Sequence, residues 1–180
     1  FSDDDATDDS RLEVIVSEQA IATNNRMMRV LYTAMDHLAQ KRFDDAIESF
    51  KSCIQLLESQ QDNPRTLNYH ISLVYCNMAI CYYYMNNFNE CEINLNSASN
   101  TLDIDNNIRV ESYRLLYLKC LCNYLVLYAK IKEFGNVGQI KDLIREFVES
   151  EPDTLKRANY ILNVVYMLFR TDSIQRFNAD

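Results

Sequence analysis

The chain has 180 residues and a formal charge of −8, with two glycines, two prolines and no tryptophan. That length suits one domain with a sizeable core, and so few turn formers exclude the many tight reversals of a β-sandwich. An acidic chain is also a poor counter-ion for phosphate, which argues against generic nucleic-acid binding.

Asp3, Asp4, Asp5, Asp8 and Asp9 open the chain. Such a like-charge block repels itself and has little to bury, so residues 1–16 read as an acidic, extended or disordered lead-in. It is either a solubilising tail or an acidic interaction tail. It lacks the basic and then apolar start of a secretory signal, and a first residue of Phe rather than Met is expected of a piece of a longer protein. A first helix is predicted from about Glu18 to Gln40, with a tight turn at Lys41-Arg42. The second runs from about Phe43 to Ser59, where Ala46, Ile47, Phe50, Cys53, Ile54 and Leu57 recur at three- and four-residue steps and mark one buried face. Asp44 and Asp45 fall in its first turn, where negative charge suits the helix dipole.

Gln60 to Arg65, with Pro64, forms a connection. A helix from about Thr66 to Met85, a turn at Asn86-Asn87 and a helix from Phe88 to about Leu102 follow. Asp103 to Asn107 reads as a polar link. A long helix is then expected over Ile108 to Lys132, with Gly135 and Gly138 bracketing a turn before a helix from Gln139 to Ser150. Glu151-Pro152-Asp153 has the composition of a helix start. The last clear helix should end near Arg170, leaving residues 171–180 as a tail. These make seven helices within a domain spanning 17–170, the first six paired as antiparallel hairpins. Lys, Arg, Asn or Asp interrupts every apolar run, so no membrane span is expected.

The chain also repeats itself. Ala34, His37, Phe43, Ala46, Phe50 and Cys53 recur 45 residues later as Ala79, Tyr82, Phe88, Cys91, Leu95 and Ala98. Every pair except His37/Tyr82 keeps its size or polarity class. Internal repetition of this length points to stacked helical hairpins and to a binding surface rather than a catalytic pocket.

The pattern resembles the tetratricopeptide repeat family. Its large, small and aromatic positions match Tyr75, Met78, Ala79, Tyr82, Phe88, Cys91, Leu95 and Ala98 in the second unit. In the first they match Val30, Ala34, Phe43, Ala46, Phe50 and Cys53, with Thr33 and His37 as departures. The third keeps Leu121, Tyr124, Tyr128, Phe134 and Val137, with Lys141 where a second bulky residue is usual. The units span Met27 to Glu149, and their period exceeds the family's usual value of about 34 residues. The resemblance implies an all-α fold: a right-handed superhelical solenoid of about three antiparallel hairpins plus a C-terminal helix, a long-helix variant. A related hairpin solenoid, of the kind in proteasome-lid and signalosome subunits, stays open.

The resemblance also implies a concave face lined by the first helix of each unit. It would present Met28, Leu31, Tyr32, Met35 and Leu38, then Leu73, Cys76, Asn77, Ile80, Tyr83 and Tyr84, then Lys119, Cys122, Asn123, Val126 and Lys130. Asn77 and Asn123 share a repeat position, where stacked amides pair with an extended peptide; the plainer reading is a bond to the adjacent helix. Lys119 and Lys130 would hold an acidic stretch of a partner, or are ordinary solvated lysines. The Lys/Asn carboxylate clamp of the chaperone-binding members is replaced by Leu31 and Met35, which excludes that role. Within Tyr82-Tyr83-Tyr84, the first is expected in the core and the other two in the groove.

Catalysis has little support. His37 and His70 are the only histidines, and no motif sets either beside a nucleophile. Cys120-x-Cys122 on a helix splays its thiols, unlike the loop spacing of zinc sites, and Gly135-Asn-Val-Gly138 lacks the Lys and Ser/Thr of a phosphate loop. Five of the six cysteines sit in apolar helical runs, as reduced thiols of a cytoplasmic or nuclear protein. The expectation is a protein-interaction scaffold or adaptor, with no cofactor, metal, nucleic acid or membrane partner, gripping an extended or helical protein segment in its groove. The alternative is a structural segment of a multisubunit complex or homo-oligomer, packed end to end through its terminal helices. In that case Ile161, Val165 and Leu168 would be exposed, in a helix that Val164, Met167 and Phe169 make apolar nearly all round. Such a helix needs a cover, either Thr171 to Asp180 folding back or another chain. A third reading, an RNA-binding repeat, needs more basic groove residues than two lysines.

Overall fold

The computed structural model describes residues 25–59 and 64–177, and side chains within 26–59 and 66–166. The expected lead-in 1–16 lies outside them. Eight helices and no strand occur among the described residues: α1 (Asn25–Ala39), α2 (Phe43–Glu58), α3 (Pro64–Tyr84), α4 (Phe88–Leu102), α5 (Ile104–Asn107), α6 (Glu111–Lys130), α7 (Phe134–Glu149) and α8 (Thr154–Phe177). The chain divides into two compact units, the boundary falling inside α6 between Cys120 and Leu121.

In the first unit α1 packs on α2, α2 on α3, and α3 on α4. Ala34, Ala46, Phe50, Cys53, Ala79, Cys91, Leu95 and Ala98, eight of the twelve repeated residues, expose no surface at all. Small residues let the helices approach closely while Phe50 and Leu95 fill the space between them. Burying a side chain such as Phe50 contributes roughly 1.5–3 kcal/mol. Asn87 starts α4, its side chain accepting from the backbone N–H of Glu90 at 3.2 Å, which satisfies one of the open donors of a helix end.

Three of the connections are built alike. Lys41, Asn86 and Lys132 take left-handed φ values of 58°, 58° and 62°. In each, the left-handed residue donates its N–H three residues back (to Leu38, Tyr83 and Ala129). The next residue donates five residues back (to His37, Tyr82 and Tyr128). This is the Schellman arrangement that closes a helix C-terminus. Phe43, Phe88 and Phe134 then open the following helices.

That shared turn explains a departure from expectation. Gly135 and Gly138 do not bracket a turn; α7 starts at Phe134 rather than Gln139, and both glycines lie in its first turns. The left-handed position falls on Lys132, so neither glycine is needed for the reversal, and a Cβ at either would meet nothing within 4 Å. The expected polar link also contains a helix, the single turn α5, whose N-cap Asp103 (φ 47°) has its carboxylate bonded by Asn106 Nδ2 at 2.7 Å.

In the second unit α7 packs on α8. Ile140, Ile144, Phe147 and Val148 form the buried face of α7, and the Phe147 ring stacks on Tyr160 with centroids 6.0 Å apart. Asp153 Oδ1 accepts from the N–H groups of Leu155 and Lys156, both at 2.9 Å. The start signal at Glu151-Pro152-Asp153 thus acts through Asp153 as cap, with Pro152 just outside the helix. The backbone then stays helical to Phe177 instead of ending near Arg170, so residues 171–177 are not a tail folded back. No helix among the described residues is long and apolar enough to cross a membrane.

Candidate functional site

The residues assigned to an inner groove do not share an open face. Leu31, Asn77, Ile80, Tyr83 and Asn123 are buried; Met28, Met35, Tyr84 and Lys119 are half-buried; only Tyr32 and Lys130 are exposed. Leu38, Leu73, Cys76, Cys122 and Val126 are buried as well. The reason lies in the position of α3. It touches α2 and α4 and meets α6 through Tyr69 against Tyr113 and Cys76 against Cys120, which leaves it almost no free side.

Asn77 is buried and donates Nδ2 to Leu73 O within its own helix at 3.0 Å. Asn123 occupies the same repeat position and is fully buried, yet neither atom of its amide has a hydrogen-bond partner. The tyrosine run is also reassigned. Tyr82 is half-buried and Tyr83 is core, while the Tyr84 ring stacks on Phe43 at 5.6 Å and an interplanar angle of 12°. Tyr83 meets Tyr84 and Phe88 edge-on. The rings of this helical run thus pack on one another and on Phe43 and Phe88.

A cleft of about 350 Å³ lies between α1 and α2, lined by Arg29, Val30, Thr33, Glu48, Ser49 and Ser52. Its hydroxyls are committed to their own helices, Thr33 to Arg29 O at 2.8 Å and Ser52 to Glu48 O at 3.0 Å. Glu48 pairs with Lys51 at 3.1 Å.

Three buried thiols are held in the neutral form. Burial pushes Cys53, Cys81 and Cys91 each up to about 12, the reverse of an activated nucleophile. Among the described residues no group of three or more His, Cys, Asp or Glu could hold a metal ion. His70 is buried with its ring 5.7 Å from that of Tyr69, and His37 is half-buried with no partner at Nδ1.

An open apolar surface lies on α8. Tyr160 and Val164 turn inward, while Leu155 (81% exposed), Leu162 (67%), Ile161, Val165 and Tyr166 face out. Leu155, Ala158, Leu162 and Val165 step by three, four and three residues, which sets them in one stripe along the helix. Of the residues named from sequence for this helix, Ile161 and Val165 are exposed, Val164 is buried, and Leu168 lies outside the described side chains. Leu155, Leu162 and Tyr166 were missed, although the three-four stepping was readable. On α7, Phe134 stands 72% exposed at the position where Phe43 and Phe88 are half-buried. No family model, curated protein or solved structure matches this chain.

Proposed function

We propose that this chain is a protein-interaction module of tetratricopeptide-like helical hairpins, and that it docks a helix of a partner protein along the outer face of α8. The carrying observation is the exposed stripe of Leu155, Leu162 and Val165, flanked by Ile161 and Tyr166. Contiguous exposed apolar residues of this size mark contact sites. Stepping by three and four residues suits a helical partner, whose ridges fit between such side chains. Each anchor fully removed from water contributes roughly 1.5–3 kcal/mol, offset by the several kcal/mol that association costs. The three alike turns and the fully buried repeat positions support the hairpin reading. The inner-face reading retains Met28, Tyr32 and Met35 on α1 as accessible residues and loses its central anchors.

The test is site-specific photo-crosslinking in extract of the cells that make the protein. A photoreactive side chain at position 162 or 165 should give a discrete protein adduct that Leu155→Glu abolishes, whereas position 51, on the charged face of α2, should give none. Equal labelling at 51 and 162, or adducts indifferent to Leu155→Glu, would overturn the assignment. Adducts of twice the chain mass would make the occupant a second copy instead.

A further inference from the structure

We propose that Cys76 and Cys120 form a redox latch within the first unit, a dithiol that a hydroperoxide converts to a disulfide joining α3 to α6. All six cysteines are free and buried. The sulfurs of Cys76 and Cys120 lie 3.2 Å apart, on helices separated by 44 residues of chain. A disulfide needs a spacing of about 2.0 Å, so the two sulfurs must approach by about 1.2 Å.

At rest the pair is protected. Neither residue exposes any surface, and the hydrogen bond to Cys120, with burial, holds the Cys76 thiol well above its ordinary range. The thiolate forms when α3 and α6 part locally, which makes opening the gate for oxidation. In that state one thiolate attacks a hydroperoxide oxygen. An S–O bond forms, the O–O bond breaks, and the departing alkoxide or hydroxide takes up a proton, leaving a sulfenic acid. The second thiolate attacks that sulfur; the S–S bond forms, the S–O bond breaks, and hydroxide leaves as water after protonation. The two thiols supply the two electrons that reduce the peroxide. The product closes the loop through α4 and α5 and so restricts the unfolded chain.

The full reduced chain is treated with hydrogen peroxide alongside free glutathione as an exposed-thiol control. Disulfides are mapped by mass spectrometry of a non-reduced digest. The expected product is a linked Cys76–Cys120 peptide, reversed by dithiothreitol. The melting temperature of the oxidised chain should rise by on the order of 5–10 °C. Cys76→Ala should remove both effects and Cys91→Ala neither; Cys120→Ala replaces Cys76→Ala if the latter fails to fold. Cys76 and Cys120 still alkylatable after denaturation once the glutathione is consumed would overturn the latch, as would a linked peptide pairing either with Cys91.

Discussion

Helices α2 and α8 both combine an apolar stripe with polar positions, yet they end in opposite states. On α2 the apolar face of Ala46, Ile47, Phe50, Cys53, Ile54 and Leu57 is wholly buried, and the other face carries Asp44, Asp45, Glu48 and Lys51. On α8 Tyr160 packs on Phe147 of α7 and Val164 is buried, while a second apolar face, from Leu155 to Tyr166, meets solvent. Neighbours, not periodicity, make the difference. α2 lies between α1 and α3; α8 packs on α7 by one face and leaves large apolar side chains exposed on another. Such an exposed apolar face is informative about contact.

Truncations on the two helices sharpen that contrast most. Phe50→Ala should destabilise the chain by about 3–5 kcal/mol, through lost burial and a residual cavity. Leu162→Ala should change stability by less than about 0.5 kcal/mol, both read from urea unfolding midpoints. Comparable losses at the two sites would mean that the α8 face is covered.

Alkaline pH should act on the covered core, since the described part of α8 holds no thiol. Cys53, Cys81 and Cys91 have folded values near 12 against an ordinary value of 9.0. Between those values the unfolded chain releases protons that the folded chain keeps, so stability is full below about pH 9 and declines as pH rises toward 12. Each thiol contributes up to about 1.4 kcal/mol per pH unit in that window. Denaturant midpoints at successive pH values should show this decline, and Cys53→Ala should flatten it; a flat profile to pH 11 would contradict the burial.

The two equivalent asparagines should diverge. Asn77→Leu removes the bond to Leu73 O and should destabilise by about 1–2 kcal/mol. Asn123→Leu removes an amide whose buried atoms have no partner and should be neutral or stabilising by about 1 kcal/mol. Parallel chemical denaturation of the two variants decides it; equal losses would reveal a polar partner for Asn123, such as an ordered water.

The smallest effects concern the turn before α7. Lys132→Gly relieves a left-handed backbone that Gly adopts freely, and Gly138→Ala removes helix-interior glycine from open space. Each should raise stability by about 0.4–1 kcal/mol, visible as a higher melting temperature. A loss at position 132 would mean that the lysine side chain makes a contact worth more than the relief.

Much of the fold was legible in the residues. The bounds of α2 and α4 are visible from the stepping of Ala46 to Leu57 and Cys91 to Ala98, because burial of one face imposes a 3.6-residue period. The start of α7 was not. A left-handed lysine carries no local signature, and the nearby glycines drew the turn toward themselves. Within α3 the inward positions Met78 and Ala79 are buried as read, but Leu73, Cys76, Asn77, Ile80 and Tyr83 are buried as well, because its residues from Ile71 to Tyr83 are almost continuously apolar and a uniform helix has no phase to read. On α8, Leu155 and Leu162 look no different in sequence from core leucines.

Composition and spacing by themselves settled that this chain is helical, and which positions in the first two hairpins fill the core. Those outcomes depend on short-range stereochemistry and on the period of hydrophobic residues, both of which the chain carries locally. Tertiary structure alone decided that Asn77 is buried, that Cys76 and Cys120 come within 3.2 Å, and that one face of α8 is left uncovered. Each depends on which distant segment arrives as neighbour, and burial is a property of that pair rather than of either residue.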